Sequence, residues 1–74
     1  MSIKKTEKVI FGNYLIQLDK IDGEWLYKVL EISNKTLVID GHKSKIKSID
    51  FFNCLDLAFE SIRIFILSAK QILL

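Results

Sequence analysis

The stretch VIFGNYLIQLDKIDGEWLYKVLEI, residues 9–32, decides the fold. It divides at Asp22-Gly23, the kind of pair that supplies the positive φ angles a tight hairpin needs. Before the turn, Val9 to Leu18 is rich in β-branched and aromatic residues and reads as a strand. Ile10, Tyr14, Ile16 and Leu18 share one parity; Phe11 and Leu15 share the other. After the turn, EWLYKVLEI resumes the β pattern with Trp25, Tyr27 and Val29 on one side.

Working outward, SNKT at 33–36 breaks the pattern and LVID at 37–40 restores it as a third strand. A second Asp-Gly step follows at Asp40-Gly41. Residues 42–49, HKSKIKSI, are expected to form either a fourth, edge strand or a loop. Alternating Lys43, Lys45 and Lys47 suit an edge, because lysines there discourage another chain from pairing. The rival reading of these lysines is a phosphate site near a helix N-terminus.

A helix is expected from Ser48 or Asp50, either of which can cap it, to near the C-terminus. At 100° per residue Asn53, Asp56, Glu60 and Arg63 share an arc with Lys70 and Gln71. Leu55, Ala58, Ile62, Ile66, Ala69 and Leu73 can face the sheet, while Leu57 and Ile64 lie on a flank. The spacing therefore predicts an α+β fold of order β-β-β-(β)-α. Its three- or four-stranded antiparallel sheet carries one long C-terminal helix on one face.

A chain of 74 residues suits one domain, here 1–74, with 1–7 expected as a flexible lead. Half its residues are hydrophobic, so a packed core is expected rather than a disordered tail. A formal charge of +2 would not by itself steer binding to duplex DNA. The single Cys54 forbids an internal disulfide and reads as a small buried side chain. No apolar run of secretory type follows the N-terminal lysines, and residues 51–74 carry too many charges to span a membrane. A cytoplasmic location is the expectation.

No residue set predicts catalysis, cofactor binding or metal binding. His42 has no second His or Cys at ligand spacing and reads as a solvated turn residue. Asp19, Asp22 and Glu24 cluster at the first hairpin, but turn chemistry explains Asp22 and solvation explains the others. Nucleophile motifs and phosphate-cradling glycine loops are absent from the sequence, so an enzyme is not expected.

A binding module is expected instead. The second sheet face is predicted to carry Phe11, Leu15, Trp25, Tyr27 and Val29, and the helix flank adds Leu57 and Ile64. Each such side chain left in water forgoes about 1.5–3 kcal/mol, which argues for a homo-oligomer or a partner protein. The alternative is single-stranded nucleic acid, stacked on Phe11, Trp25 and Tyr27 with Lys28, Lys43, Lys45 and Lys47 on phosphates. Asp19, Asp22, Glu24 and Glu31 weigh against it.

Residues 13–32, NYLIQLDKIDGEWLYKVLEI, look like the first hairpin of HicB-like antitoxin domains. There an aromatic-led strand ends in an acidic residue, a Lys, an Asp-Gly turn, then a Trp and a Val. Residues 53–66, NCLDLAFESIRIFI, are similar to that family's terminal helix at Leu55, Ala58, Glu60, Ile62, Arg63 and Phe65. The resemblance implies a degenerate, catalytically dead RNase H-like fold that masks a partner toxin. The chain departs from the family pattern in having no proline and in inserting SNKTLVIDGHKSKIK before the helix.

Overall fold

The computed structural model describes residue 3, residues 5–44 and residues 47–73, with side chains for all of these except 44 and 70–73. The element order is β1 (Lys5–Phe11), β2 (Tyr14–Ile21), β3 (Glu24–Glu31), β4 (Thr36–Asp40), α1 (Gly41–Ser44) and α2 (Phe51–Leu73). The strands form one antiparallel sheet in the order β1-β2-β3-β4, and α2 packs on one face. The fold class is α+β, as the sequence pattern predicts.

The fourth strand has a different origin from the one expected. Val9 to Leu18 is not one strand: Gly12, at φ 61°, opens a two-residue turn closed by the Phe11–Tyr14 pair. Gly-Asn between alternating apolar residues is itself a hairpin signal, since a positive φ at the first turn position requires little more than glycine. Lys5, Thr6 and Glu7 belong to β1 rather than to a flexible lead, and residues 1, 2 and 4 lie outside the described residues.

Residues 42–44 belong to the short turn α1 and not to a strand, and residues 45 and 46 lie outside the described residues. Asp40 accepts a hydrogen bond from the Lys43 amide at 3.1 Å and so caps the short turn α1. The chain then returns to the sheet at Ser48, whose backbone exchanges two hydrogen bonds with Trp25. Lys45 lies outside the described residues.

At the second hairpin Asp22 and Gly23 both have positive φ, 53° and 80°. This matches the turn expected of Asp-Gly. A Cβ at Gly23 would meet no atom within 4 Å, so a substitution there acts through the backbone alone. We expect Gly23→Val to lower stability by about 1 kcal/mol or more. A thermal melt superimposable on that of the parent would show that Gly23 does not hold this conformation in solution.

Parity inverts across each two-residue turn, because the two residues that close it share a face. Ile10 therefore pairs with Leu15 and leaves the face of Ile16, whereas Trp25, Tyr27 and Val29 pair with Lys20, Leu18 and Ile16. These three are buried in the core with Cys54, Ala58 and Ile62 of α2. Tyr27 closes the contact with a 2.6 Å hydrogen bond between its hydroxyl and Ser61 Oγ. Burial raises the Cys54 thiol to about 11, which keeps it protonated and inert at neutral pH.

Asp50 caps α2 by accepting from the Phe52 amide at 3.3 Å, and Ser48 Oγ receives Asn53 Nδ2 at 2.9 Å. Asn53, Asp56, Glu60 and Arg63 are exposed as the helical arc predicts. With 23 residues α2 is about 34 Å long, against about 26 Å for an eight-residue strand. Ala69 is consequently exposed although it projects on the same side of the helix as Phe51. Among the described residues no helix is long and apolar enough to cross a membrane.

Candidate interaction groove

Helix α2 lies mainly over β3 and β2 and meets β1 at Phe11, against Phe59. That lateral offset leaves a groove beside β1 that opens into two depressions, with Val9 half-buried against the core. At one end Phe11 and Phe59 meet with ring centroids 5.1 Å apart. They line a depression of about 490 Å³ with Ile62 and Ile66 as its other apolar walls and Asp56, Glu60 and Arg63 at its rim. At the other end a depression of about 300 Å³ is lined by Lys5, Glu7, Trp25 and Phe51.

The rim is charged but locally balanced. Arg63 donates to Glu60 through Nη2 and through Nε, the latter at 3.3 Å. That hydrogen bond holds the Glu60 carboxyl below its ordinary value and raises the Arg63 guanidinium in return. Lys5 pairs with Glu7 at 3.5 Å on the strand side. The floor is thus apolar and the margins polar, the composition of a surface that excludes water at its centre.

The predicted partner residues divide between three places. Phe11 lies in the groove. Trp25, Tyr27 and Val29 do not form an open patch: the register that pairs them with β2 places them under α2. The same burial removes Trp25 and Tyr27 as platforms for stacked bases. Leu15 alone of the five remains on the opposite face, in a cross-strand row with Ile10, Leu30 and Leu37. Leu57 is half-buried against the core, while Ile64 stays 54% exposed on the flank. Lys43 and Lys47 are exposed, and Lys47 pairs with Glu24 at 3.8 Å.

The opposite face also carries a polar cluster that the sequence pattern did not predict. Asp19 is 0% exposed. Its Oδ1 accepts from Thr6 Oγ1 at 2.8 Å, Gln17 Nε2 lies 3.2 Å from both carboxylate oxygens, and His42 Nε2 is 3.0 Å from Oδ2. His42 is therefore not a solvated turn residue; it ties α1 down onto the sheet. No buried side-chain nitrogen or oxygen among the described residues lacks a partner, so the cluster is satisfied internally. It has the character of an anchor.

Groups of three or more His, Cys, Asp or Glu placed to hold a metal ion are absent among the described residues. The groove combines apolar surface with concavity beside the edge strand β1. Comparison of the chain with known proteins finds no matching family model, no curated protein and no solved structure similar to it.

Proposed function

We propose that this chain is a non-enzymatic protein–protein interaction domain that docks a partner protein in the groove between β1 and α2. The observation that carries the reading is the open apolar depression of Phe11, Phe59, Ile62 and Ile66 inside a polar rim. A buried aromatic contact surrounded by polar groups that keep water out is the usual seat of binding energy. The masking role implied by the HicB-like hairpin and helix is the form of this function we favour, with a toxin as the partner. Self-association is a second use of the same property, supported by the exposed Ile64 and Leu67 on α2.

The test compares capture of proteins from cells of the native host by the parent, by Ile66→Asp and by Leu37→Ser, each first shown to be folded by circular dichroism. Ile66 is half-buried at the groove, while Leu37 is 49% exposed on β4, at the far edge of the sheet. Burying an unpaired carboxylate at the contact should weaken capture by a factor on the order of 100, and Leu37→Ser should leave it unchanged. Salt should alter capture only modestly, because the contact is apolar. Equal capture by parent and Ile66→Asp would sink the proposal.

A further inference from the structure

Strand β1 is a sheet edge, and its hydrogen-bonding pattern fixes which backbone groups are free. The Phe11–Tyr14 pair closes a two-residue turn, so residues 5, 7, 9 and 11 bond to β2, while Thr6, Lys8 and Ile10 direct their N–H and C=O groups away from the sheet. The same alternation, carried through the Ile21–Glu24 pair, frees the backbone of Trp25 for Ser48, where the two hydrogen bonds are seen. The opposite edge offers less. β4 has five residues, a bulge interrupts its pairing at Val29 and Leu30, and Ser48 occupies part of the line beyond it.

Resting on the interaction reading above, we propose that β1 accepts a fifth antiparallel strand, an extended segment of the partner protein. That segment bonds to Thr6, Lys8 and Ile10 and lowers alternate apolar side chains into the groove. Two features of the groove fit a strand rather than a helix. Both depressions border β1, one at Phe11 and the other at Glu7 and Lys5, four and six residues apart. A strand places side chains on one face every second residue, so one segment reaches both depressions, about 13–20 Å apart. Affinity then comes from main-chain bonds and specificity from the pockets.

Charge selects the sign of the segment. β1 carries Lys5 and Lys8 against Glu7 alone. A second copy pairing antiparallel in full overlap would centre on Lys8 and set that ammonium against its own copy, an unfavourable cross-strand pair. An acidic strand meets the opposite sign at Lys8 and at Lys5, the latter already paired with Glu7 at 3.5 Å. The occupant is therefore an extended segment with aliphatic residues toward Phe11 and Val9 and carboxylates toward Lys8 and Lys5.

The probe is the peptide acetyl-Thr-Leu-Thr-Leu-Glu-Thr-Thr-Glu-amide, titrated into the full chain and followed by amide chemical shifts and hydrogen exchange. Binding should slow exchange at Thr6, Lys8 and Ile10. N-methylation of the peptide amides that face β1 should weaken it by a factor on the order of ten or more, and N-methylation on the far edge should leave it unchanged. Equal binding of the two methylated peptides overturns strand addition. So does no binding at about 1 mM peptide, or protection of these three amides in the free protein by a second copy. The interaction reading fails by a separate result, the equal capture by parent and Ile66→Asp.

Discussion

Asp19→Ala should destabilise the chain by about 3 kcal/mol, a large share of the total for a domain of this size. The substitution leaves Thr6 Oγ1, Gln17 Nε2 and His42 Nε2 facing a cavity instead of a carboxylate that is 0% exposed. Donors at this part-buried site lose their bonds to protein and regain bonds to water only where they reach the surface, as Thr6 and His42 do, and the desolvation left over adds to the net worth of the bonds themselves. Asp19→Asn should fall between parent and alanine variant, since the amide keeps the volume but offers one acceptor oxygen. Chemical denaturation at constant slope measures both, with a melting shift of about 12–24 °C expected for the alanine change. A loss below about 0.5 kcal/mol would mean that Asp19 is solvated and α1 does not sit on the sheet.

Asp19 was hidden in the sequence for a physical reason. A carboxylate three residues before Asp22-Gly23 looks like hairpin rim, and two of its three donors come from far along the chain, 13 and 23 residues away. Thr6 faces it only because the Gly12 turn brings β1 back beside β2. Reading Val9 to Leu18 as one strand removes that pairing, and the cluster disappears with it. The helix and its cap at Asp50, the Asp22-Gly23 turn and the burial of Cys54 were legible, because each follows from local pattern.

The face of Trp25, Tyr27 and Val29 was also within reach of the sequence. Once Ile21 and Glu24 close a two-residue turn, Tyr27 must lie opposite Leu18 and Val29 opposite Ile16, which puts all of them on one face. Counting odd and even positions across the turn without inverting them gives the reverse assignment. The groove was not legible. It exists because α2 settles mainly over β2 and β3 and leaves β1 only partly covered, a lateral offset that helical periodicity does not encode. Periodicity assigns Ile62 and Ile66 to the sheet side of the helix and does not reveal that they also border open space.

Gly41→Ala sets two effects of opposite sign against each other, and packing should win. Gly41 is the first residue of α1, where alanine has the better helical propensity by at most about 1 kcal/mol, and less in a turn of four residues. Against this, a Cβ there would press into the carbonyl oxygen of Tyr27 and lie 3.1 Å from two ring carbons of the same residue. Tyr27 cannot yield easily: its strand is central in the sheet and its hydroxyl is held by Ser61. Overpacking of this kind typically destabilises by about 1–3 kcal/mol, so a net loss of about 2 kcal/mol is expected. The backbone relieves the clash by lifting α1, and that lift draws His42 away from Asp19. Gly41→Ala and His42→Ala therefore act through one contact, and the double variant should be more stable than the sum of the two losses predicts by about 1 kcal/mol. Strict additivity would show that Gly41 and His42 are energetically separate, and a Gly41→Ala variant as stable as the parent would show that Tyr27 does not approach the start of α1.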